Sequence, residues 1–335
     1  MKIAILSPVA WRTPPRHYGP WEQMASNLAE GLVQQGFDVT LFATADSLTR
    51  GHLAAICRHG WEEDRSADPK VNECMHISYL MEQAADYDII HNHFDFLPLT
   101  YSKLVKTPMI TTIHGFSSSV IIPVYQRYNA HVKYVSISNA DRHPALTYTA
   151  TVYNGVNTAD FPLQLLADDY LLYYARIHPE KGTHEAIRIA QQTGRRLLIA
   201  GIIHHEAYFK EAVAPYIDKE QIIYLGAVGG PQRGELLGKA AALLHPIAMN
   251  EAFGLSVAEA MLCGTPVIAY NRGAMPELIK DRHTGFLVRD IHEAAARVAD
   301  IPLLSRQACH DHAAANFSTE RMVKDYIKIY GEMRR

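Results

Sequence analysis

The chain reads as α/β, two Rossmann-like domains built on parallel sheets. Its 335 residues exceed what one ordinary core holds and suit two domains of roughly 150 residues each. Short apolar runs bounded by turn residues alternate with helical periods, the pattern of parallel α/β layers. The alternation loosens after Ser138 and starts afresh near Tyr170.

In the first half the expected strands are KIAILS (2–7), DVTLFAT (38–44), DIIHNH (88–93), MITTIHG (109–115) and KYVSIS (133–138). Between the first two lies an amphipathic helix, EQMASNLAEGLVQQ (22–35), closed by Gly36. TVYNGVNTADFP (151–162), with its Asn-Gly and Pro, reads as a linker. A second series follows: YLLYYAR (170–176), RLLIAG (196–201), QIIYLGAV (221–228), ALLHPI (242–247), PVIAYN (266–271) and GFLV (285–288). Helices fall between them, for example at 182–194 and 256–264. The chain closes on an amphipathic helix with Met322, Tyr326, Ile329 and Tyr330 near one face. The expected division is 1–155, 156–315 and a closing helix, 316–335, that returns to the first domain. Two such domains imply a cleft between them, with ligands beyond the carboxyl ends of the strands.

Bulk properties narrow the function. A hydrophobic fraction of 48% and a charged fraction of 20% are those of a soluble globular protein. A formal net charge of −3 makes no electrostatic case for nucleic acid or an anionic membrane. Cys57, Cys74, Cys263 and Cys309 have no C-x-x-C spacing and read as thiols in a reducing compartment. The apolar run at the N-terminus is too short for a membrane span, and the expected location is cytoplasmic.

Charged residues at strand ends carry the chemistry. Arg176 ends the YLLYYAR strand, and Lys181 lies at the mouth of the next helix, where its charge opposes the macrodipole. An anion shared by the two cations removes that conflict, and a planar guanidinium beside a mobile ammonium suits a diphosphate. In NEAFGLSVAEAM (250–261), Glu251 precedes a helix whose first amides, around Gly254, Leu255 and Ser256, can face the same anion. A carboxylate repels phosphate but accepts from sugar hydroxyls, so Glu251 suits a sugar carried on the diphosphate. Ser256 and Glu259 also have the spacing of a capping box, which is compatible with Glu259 accepting from ribose.

EAFGLSVAEAM resembles the E-x7-E motif of family-4 retaining nucleotide-sugar glycosyltransferases of the GT-B fold. The resemblance runs nearly the whole chain, through YGPWE (18–22), TIHG (112–115), YNGV (153–156), the Arg176/Lys181 pair and GTPVIAYNRGAMPELI (264–279). It implies hexose transfer from a nucleotide-diphosphate sugar, UDP-glucose ahead of GDP-mannose, to an acceptor hydroxyl without metal or cofactor. Arg176 and Lys181 are then expected on the diphosphate, Glu251 on the donor sugar, His114 beside that sugar and Glu259 on the ribose. Gly19, Phe253, Gly254, Leu255 and Ser256 complete the donor set, and Val228 lies where the family's backbone reads the base. Tyr18, Trp21, Glu22, His93 and Asp95 are acceptor-side candidates. Many relatives have a second glycine where this chain has Pro20, which removes an amide from the first loop and stiffens it. No basic amphipathic helix marks the first domain, so the expected acceptor is a small soluble molecule or oligosaccharide.

Other classes fit less. His91, His93 and Asp95 have the H-x-H-x-D spacing of a metallohydrolase, the alternative from a different class. A nucleotide-sugar epimerase shares the GT-B architecture and is the closer rival. A nicotinamide dehydrogenase needs a G-x-G-x-x-G after a strand, and neither 7–19 nor 201–209 supplies it.

Overall fold

The computed structural model describes residues 1–333. The chain divides into two units, one of residues Met1–Gly155 together with the chain from Thr319 onward, the other of Val156–Ser318.

The first unit is a seven-stranded parallel sheet: β1 (Lys2–Leu6), β2 (Asp38–Phe42), β3 (His52–Ala54), β4 (Ile89–Asn92), β5 (Met109–Ile113), β6 (Val132–Ser136) and β7 (Ala150–Thr151). Its spatial order is β3-β2-β1-β4-β5-β6-β7, so the direction of winding reverses between β1 and β4. The strands are apolar runs because helices cover the sheet: Ile3, Ile5, Ile89 and Ile110 pack under the helices Pro20–Gln34 and Thr319–Met333. Leu6, Ile90 and Tyr134 are buried in a second cluster with Ile77 and Leu80 of the helix Pro69–Met81.

The second unit is a six-stranded parallel sheet: β8 (Tyr170–Tyr174), β9 (Arg196–Ala200), β10 (Ile222–Gly226), β11 (Ala242–His245), β12 (Val267–Tyr270) and β13 (Gly285–Val288). Its order, β10-β9-β8-β11-β12-β13, reverses between β8 and β11. The expected strands all form. The edge strands β3 and β7 were not foreseen; at three and two residues they are too short to carry a period.

The closing helix buries Met322, Val323, Tyr326, Ile329 and Tyr330 against the first sheet. It lies so close to the Pro20–Gln34 helix that a Cβ on Gly31 would come within 2.4 Å of Val323 Cγ2. Alanine in mid-helix is intrinsically favoured by about 1 kcal/mol over glycine, whereas overpacking against a stiff β-branched neighbour costs about 1–3 kcal/mol. Gly31→Ala is therefore expected to lower stability in urea unfolding, and adding Val323→Ala should recover part of the loss. A stabilised Gly31→Ala variant would show that the helices separate freely at this point.

Candidate active site

The second unit gathers its charges in the loops that follow β8, β11 and β12. After β8 the chain passes Arg176 and makes a single turn, Pro179–Lys181. Tyr173 Oη bonds the carbonyls of Arg176 and Lys181 at 3.3 and 3.0 Å, fixing the turn to the buried strand. Gly182 has φ +72°, and a Cβ there would lie 2.1 Å from the Pro246 carbonyl oxygen. Only glycine lets this turn settle against the end of β11. Lys181 Nζ reaches the Glu251 carboxylate and forms an ion pair with it. Glu251 is held in turn by the loop after β12: Gly273 crosses its backbone, with Cβ space closed to 2.5 Å, and Ala274 N–H donates to its carbonyl at 3.0 Å. Burial works to raise the Glu251 pKa, but the charges of Lys181, His245 and Arg176 hold it below the ordinary carboxylate value. The carboxylate is therefore an ionised acceptor at neutral pH.

This pairing corrects the expectation of an unbalanced cation at the helix mouth. Lys181 is balanced by Glu251 from another loop, a partner that sequence separation concealed.

A second ionic pair involves the helix that follows Glu251. The helix Leu255–Leu262 starts from Gly254 (φ 101°), with no side chain capping it. The expected capping box is absent: Ser256 lies inside the first turn, and Glu259 points to Arg233 Nη2 at 3.0 Å. Glu259 is buried, and its pKa is raised by desolvation, with Arg233 opposing and Asp160 adding to the rise. Arg233 lies over the Phe161 ring, 4.9 Å from its centroid. Tyr174 interacts with Arg233 and donates its hydroxyl to the Val228 carbonyl at 2.6 Å. A chain of contacts thus joins Glu259 to Val228 through two residues that the sequence did not single out. The Phe253 side chain is buried, edge-on to Phe317 at 5.8 Å, so it belongs to the core and is not free to meet a donor. No side chain caps the first amides of the helix, at Leu255 and Ser256.

The first unit carries a site of different character, made of neutral rings. Gly19 (φ 150°) precedes Pro20, the first residue of the Pro20–Gln34 helix. The loop before it is stitched down: Ser7 Oγ meets Thr13 Oγ1 at 2.7 Å, Thr13 N–H donates to Ser47 Oγ at 2.8 Å, and Trp11 packs edge-on to Tyr18 at 6.4 Å. Glu22 is buried below Gly19 and accepts from Trp11 N–H at 3.3 Å. This removes it from the acceptor-side candidates, since its carboxylate faces the protein's own backbone. Burial pushes its pKa up to about 7 against the pull of its own and Trp11's amides.

Trp21 stacks on His114, with ring centroids 5.7 Å apart and planes inclined by 24°. His114 Nε2 lies 2.9 Å from His93 Nδ1, and His93 packs on His91 at 4.3 Å. His91 is bonded at both nitrogens, to Tyr330 Oη at 2.6 Å and Thr112 Oγ1 at 2.7 Å. Thr112 Oγ1 also meets Tyr326 Oη at 2.6 Å, so the closing helix braces the histidines. Burial lowers the pKa of His91 to about 3 and of His114 to about 3, and takes His93 well below its usual value. All three are neutral at pH 7.

Two expectations for this unit change. His93 is 1% exposed, so it supports His114 and does not itself line an acceptor pocket. Asp95 (φ 95°) spends both carboxylate oxygens on Tyr125 Oη at 2.5 Å and Ser117 Oγ at 3.0 Å. The H-x-H-x-D metal reading fails with it: His91 has both nitrogens taken by hydroxyls, and no three His, Cys, Asp or Glu side chains converge to hold a metal ion among the described residues.

Comparison with known proteins decides the family. The model for Glycosyltransferase Family 4 matches residues 22–160, and that for Glycosyl transferases group 1 matches 160–316. The chain belongs to the family-4 glycosyltransferases. An uncharacterized glycosyltransferase of Methanocaldococcus jannaschii is 24% identical to it, covering 86% of this chain and 85% of its own length. A solved sucrose-phosphate synthase from Thermosynechococcus elongatus, 17% identical, matches with a TM-score of 0.80 over 99% of both chains. Anabaena HepE, solved in complex with UDP-glucose, is 17% identical and matches with a TM-score of 0.73 over 99% of this chain and 100% of that one. The glycosyltransferase has the GT-B fold, α/β with two Rossmann-like domains. No described helix is long and apolar enough to cross a membrane.

Glu22 gives this glycosyltransferase a pH-dependent stability. An unfolded glutamate ionises near pH 4.3, whereas the folded one holds its proton to about pH 7. As pH rises between those values the unfolded state loses its proton first, so folding becomes less favourable. Wild type should lose on the order of 1–3 kcal/mol between pH 5 and 8 that Glu22→Gln does not lose. Urea unfolding of both proteins at the two pH values reads the difference, and parallel pH dependence would refute the assignment.

Proposed function

We propose that this family-4 glycosyltransferase transfers a hexose with retention from a nucleotide-diphosphate sugar to the hydroxyl of a small soluble acceptor or oligosaccharide, without a metal. The observation that carries the reading is the second unit's cluster of Arg176, Lys181 and an ionised Glu251. Two cations beside one carboxylate match a ligand that is anionic at its diphosphate and rich in hydroxyls at its sugar.

In this reading Arg176 and Lys181 bind the diphosphate, and the first amides of the Leu255–Leu262 helix support it. Glu251 accepts from hydroxyls of the donor sugar. Glu259 accepts from the ribose, with Arg233 paired to it, and Val228, Gly254 and Gly19 serve through their backbones. The acceptor oxygen attacks the anomeric carbon on the face from which the phosphate leaves. The C1–O bond to phosphate breaks, the C1–O bond to the acceptor forms, and the acceptor's proton passes to the departing phosphate oxygen. The protein's contribution is positioning and charge stabilisation: Arg176 and Lys181 meet the negative charge that grows on the leaving diphosphate. His114, a neutral ring stacked on Trp21, is a transfer residue on the sugar side. UDP-glucose stands ahead of GDP-mannose as donor, supported by the HepE complex with UDP-glucose. A cytoplasmic location accords with four free cysteines and no disulfide among the described residues.

The test is calorimetric binding of UDP, GDP, uridine and guanosine, followed by NMR of the product's anomeric configuration. Lys181→Ala should weaken the cognate diphosphate about 10- to 100-fold while leaving the nucleoside nearly unchanged. Equal loss for both ligands would remove Lys181 from the anion site, and an inverted product would sink the retaining mechanism.

A further inference from the structure

The packing of the first unit decides the tautomer of its histidines. His93 is 1% exposed, its Nδ1 lies 2.9 Å from His114 Nε2, and its Nε2 is buried with no partner. His91, its stacking neighbour, cannot serve that Nε2, because both His91 nitrogens are engaged with Tyr330 and Thr112.

One proton must lie between His93 Nδ1 and His114 Nε2, and two arrangements supply it. If His114 donates from Nε2, the proton of neutral His93 must sit on Nε2, leaving a buried N–H with no acceptor. If His93 donates from Nδ1, its Nε2 carries only a lone pair, and His114 must bear its own proton on Nδ1. An orphaned buried N–H is the rarer and costlier of the two defects. A third arrangement, with one ring charged, is opposed by burial of both rings.

We infer that His93 is a positioning residue that donates to His114 and holds it in the Nδ1–H tautomer. His114 therefore offers a neutral N–H donor, and no basic nitrogen, to whatever binds against it. The hydroxyls of Tyr326, Tyr330 and Thr112 fix His91 and so fix the face on which His93 rests. The inference rests on the proposed role of His114 only where it predicts an effect on catalysis; the tautomer itself stands apart from that role.

Ring-nitrogen NMR of the full chain, uniformly labelled with nitrogen-15, tests it at pH 7. The His114 signals are assigned by their loss in His114→Gln. The expected result is a protonated Nδ1 and a bare Nε2 on His114 in wild type. In His93→Leu the donor is gone, and His114 should lose its fixed tautomer, its two ring-nitrogen signals moving towards those of a mixture of the Nδ1–H and Nε2–H forms. His93→Asn places an amide N–H near the position of Nδ1 and should restore the wild-type tautomer. In transfer assays His93→Leu should lower kcat about tenfold or more with KM for the donor little changed, and His93→Asn should recover most of it. A protonated Nε2 on His114 in wild type overturns the inference, with no variant needed. The expected tautomers with kcat unchanged in His93→Leu would leave tautomer control intact and overturn the role of His114 in transfer.

Discussion

Parallel pairing is the constraint on which the rest of this molecule depends. Every ladder in both sheets runs parallel, so all strands of a unit end on the same side. The winding reverses between β1 and β4 in one unit and between β8 and β11 in the other. At such a reversal the connecting helices leave in opposite directions and open a crevice at the strand ends. The residues in question occupy those ends: Gly19 after β1, His93 after β4, His114 after β5, Arg176 and Lys181 after β8, and Glu251 after β11. None was brought there by a local motif alone.

The two units spend their polar residues in opposite ways. In the second, the ion pairs Lys181–Glu251 and Arg233–Glu259 are partly or wholly withdrawn from water. Such pairs seldom add net stability, because desolvation takes back much of the Coulombic gain. They do hold each side chain in place, and in the Lys181–Glu251 pair the neighbouring positive charges keep the carboxylate ionised. In the proposed reading a ligand anion takes up the cationic side of Lys181 while Glu251 turns to a hydroxyl, and the ion pair of the free protein holds both groups ready for that exchange. In the first unit the polar residues stacked around His114 are neutral rings and hydroxyls, and their order comes from stacking and hydrogen bonds, not charge.

Periodicity made the architecture legible. Apolar runs at 2–7, 170–176 and 242–247 could only be buried strands, and the turn residues between them marked the helices. The two short edge strands escaped because two or three residues hold no pattern. The sequence singled out Arg176, Lys181 and Glu251 as charges beyond strand ends, and two of them, Lys181 and Glu251, meet in one ion pair. It was illegible where the use depends on a distant partner. Lys181 and Glu251 are 70 positions apart, and Glu259 meets Arg233 from another helix. The Ser256–Glu259 spacing suggested a cap, but Gly254 already turns the chain into the helix, so no side chain is needed there. Asp95 looked available because sequence cannot show Tyr125 and Ser117 folding back onto it.

The closing helix shows how far such partners can reach. Tyr326 and Tyr330 have the spacing of a core face, and both are buried as that spacing requires. Their hydroxyls nevertheless end on Thr112 and His91, more than two hundred positions earlier in the chain. A phenylalanine would fill either space about as well, so packing alone does not call for tyrosine. What the hydroxyls add is direction: a hydrogen bond fixes which way the His91 ring faces, and an apolar contact does not. The same helix that completes the hydrophobic core thereby sets the orientation of the polar stack ending at Trp21, so the stability of the first unit and the geometry of its site rest on one element.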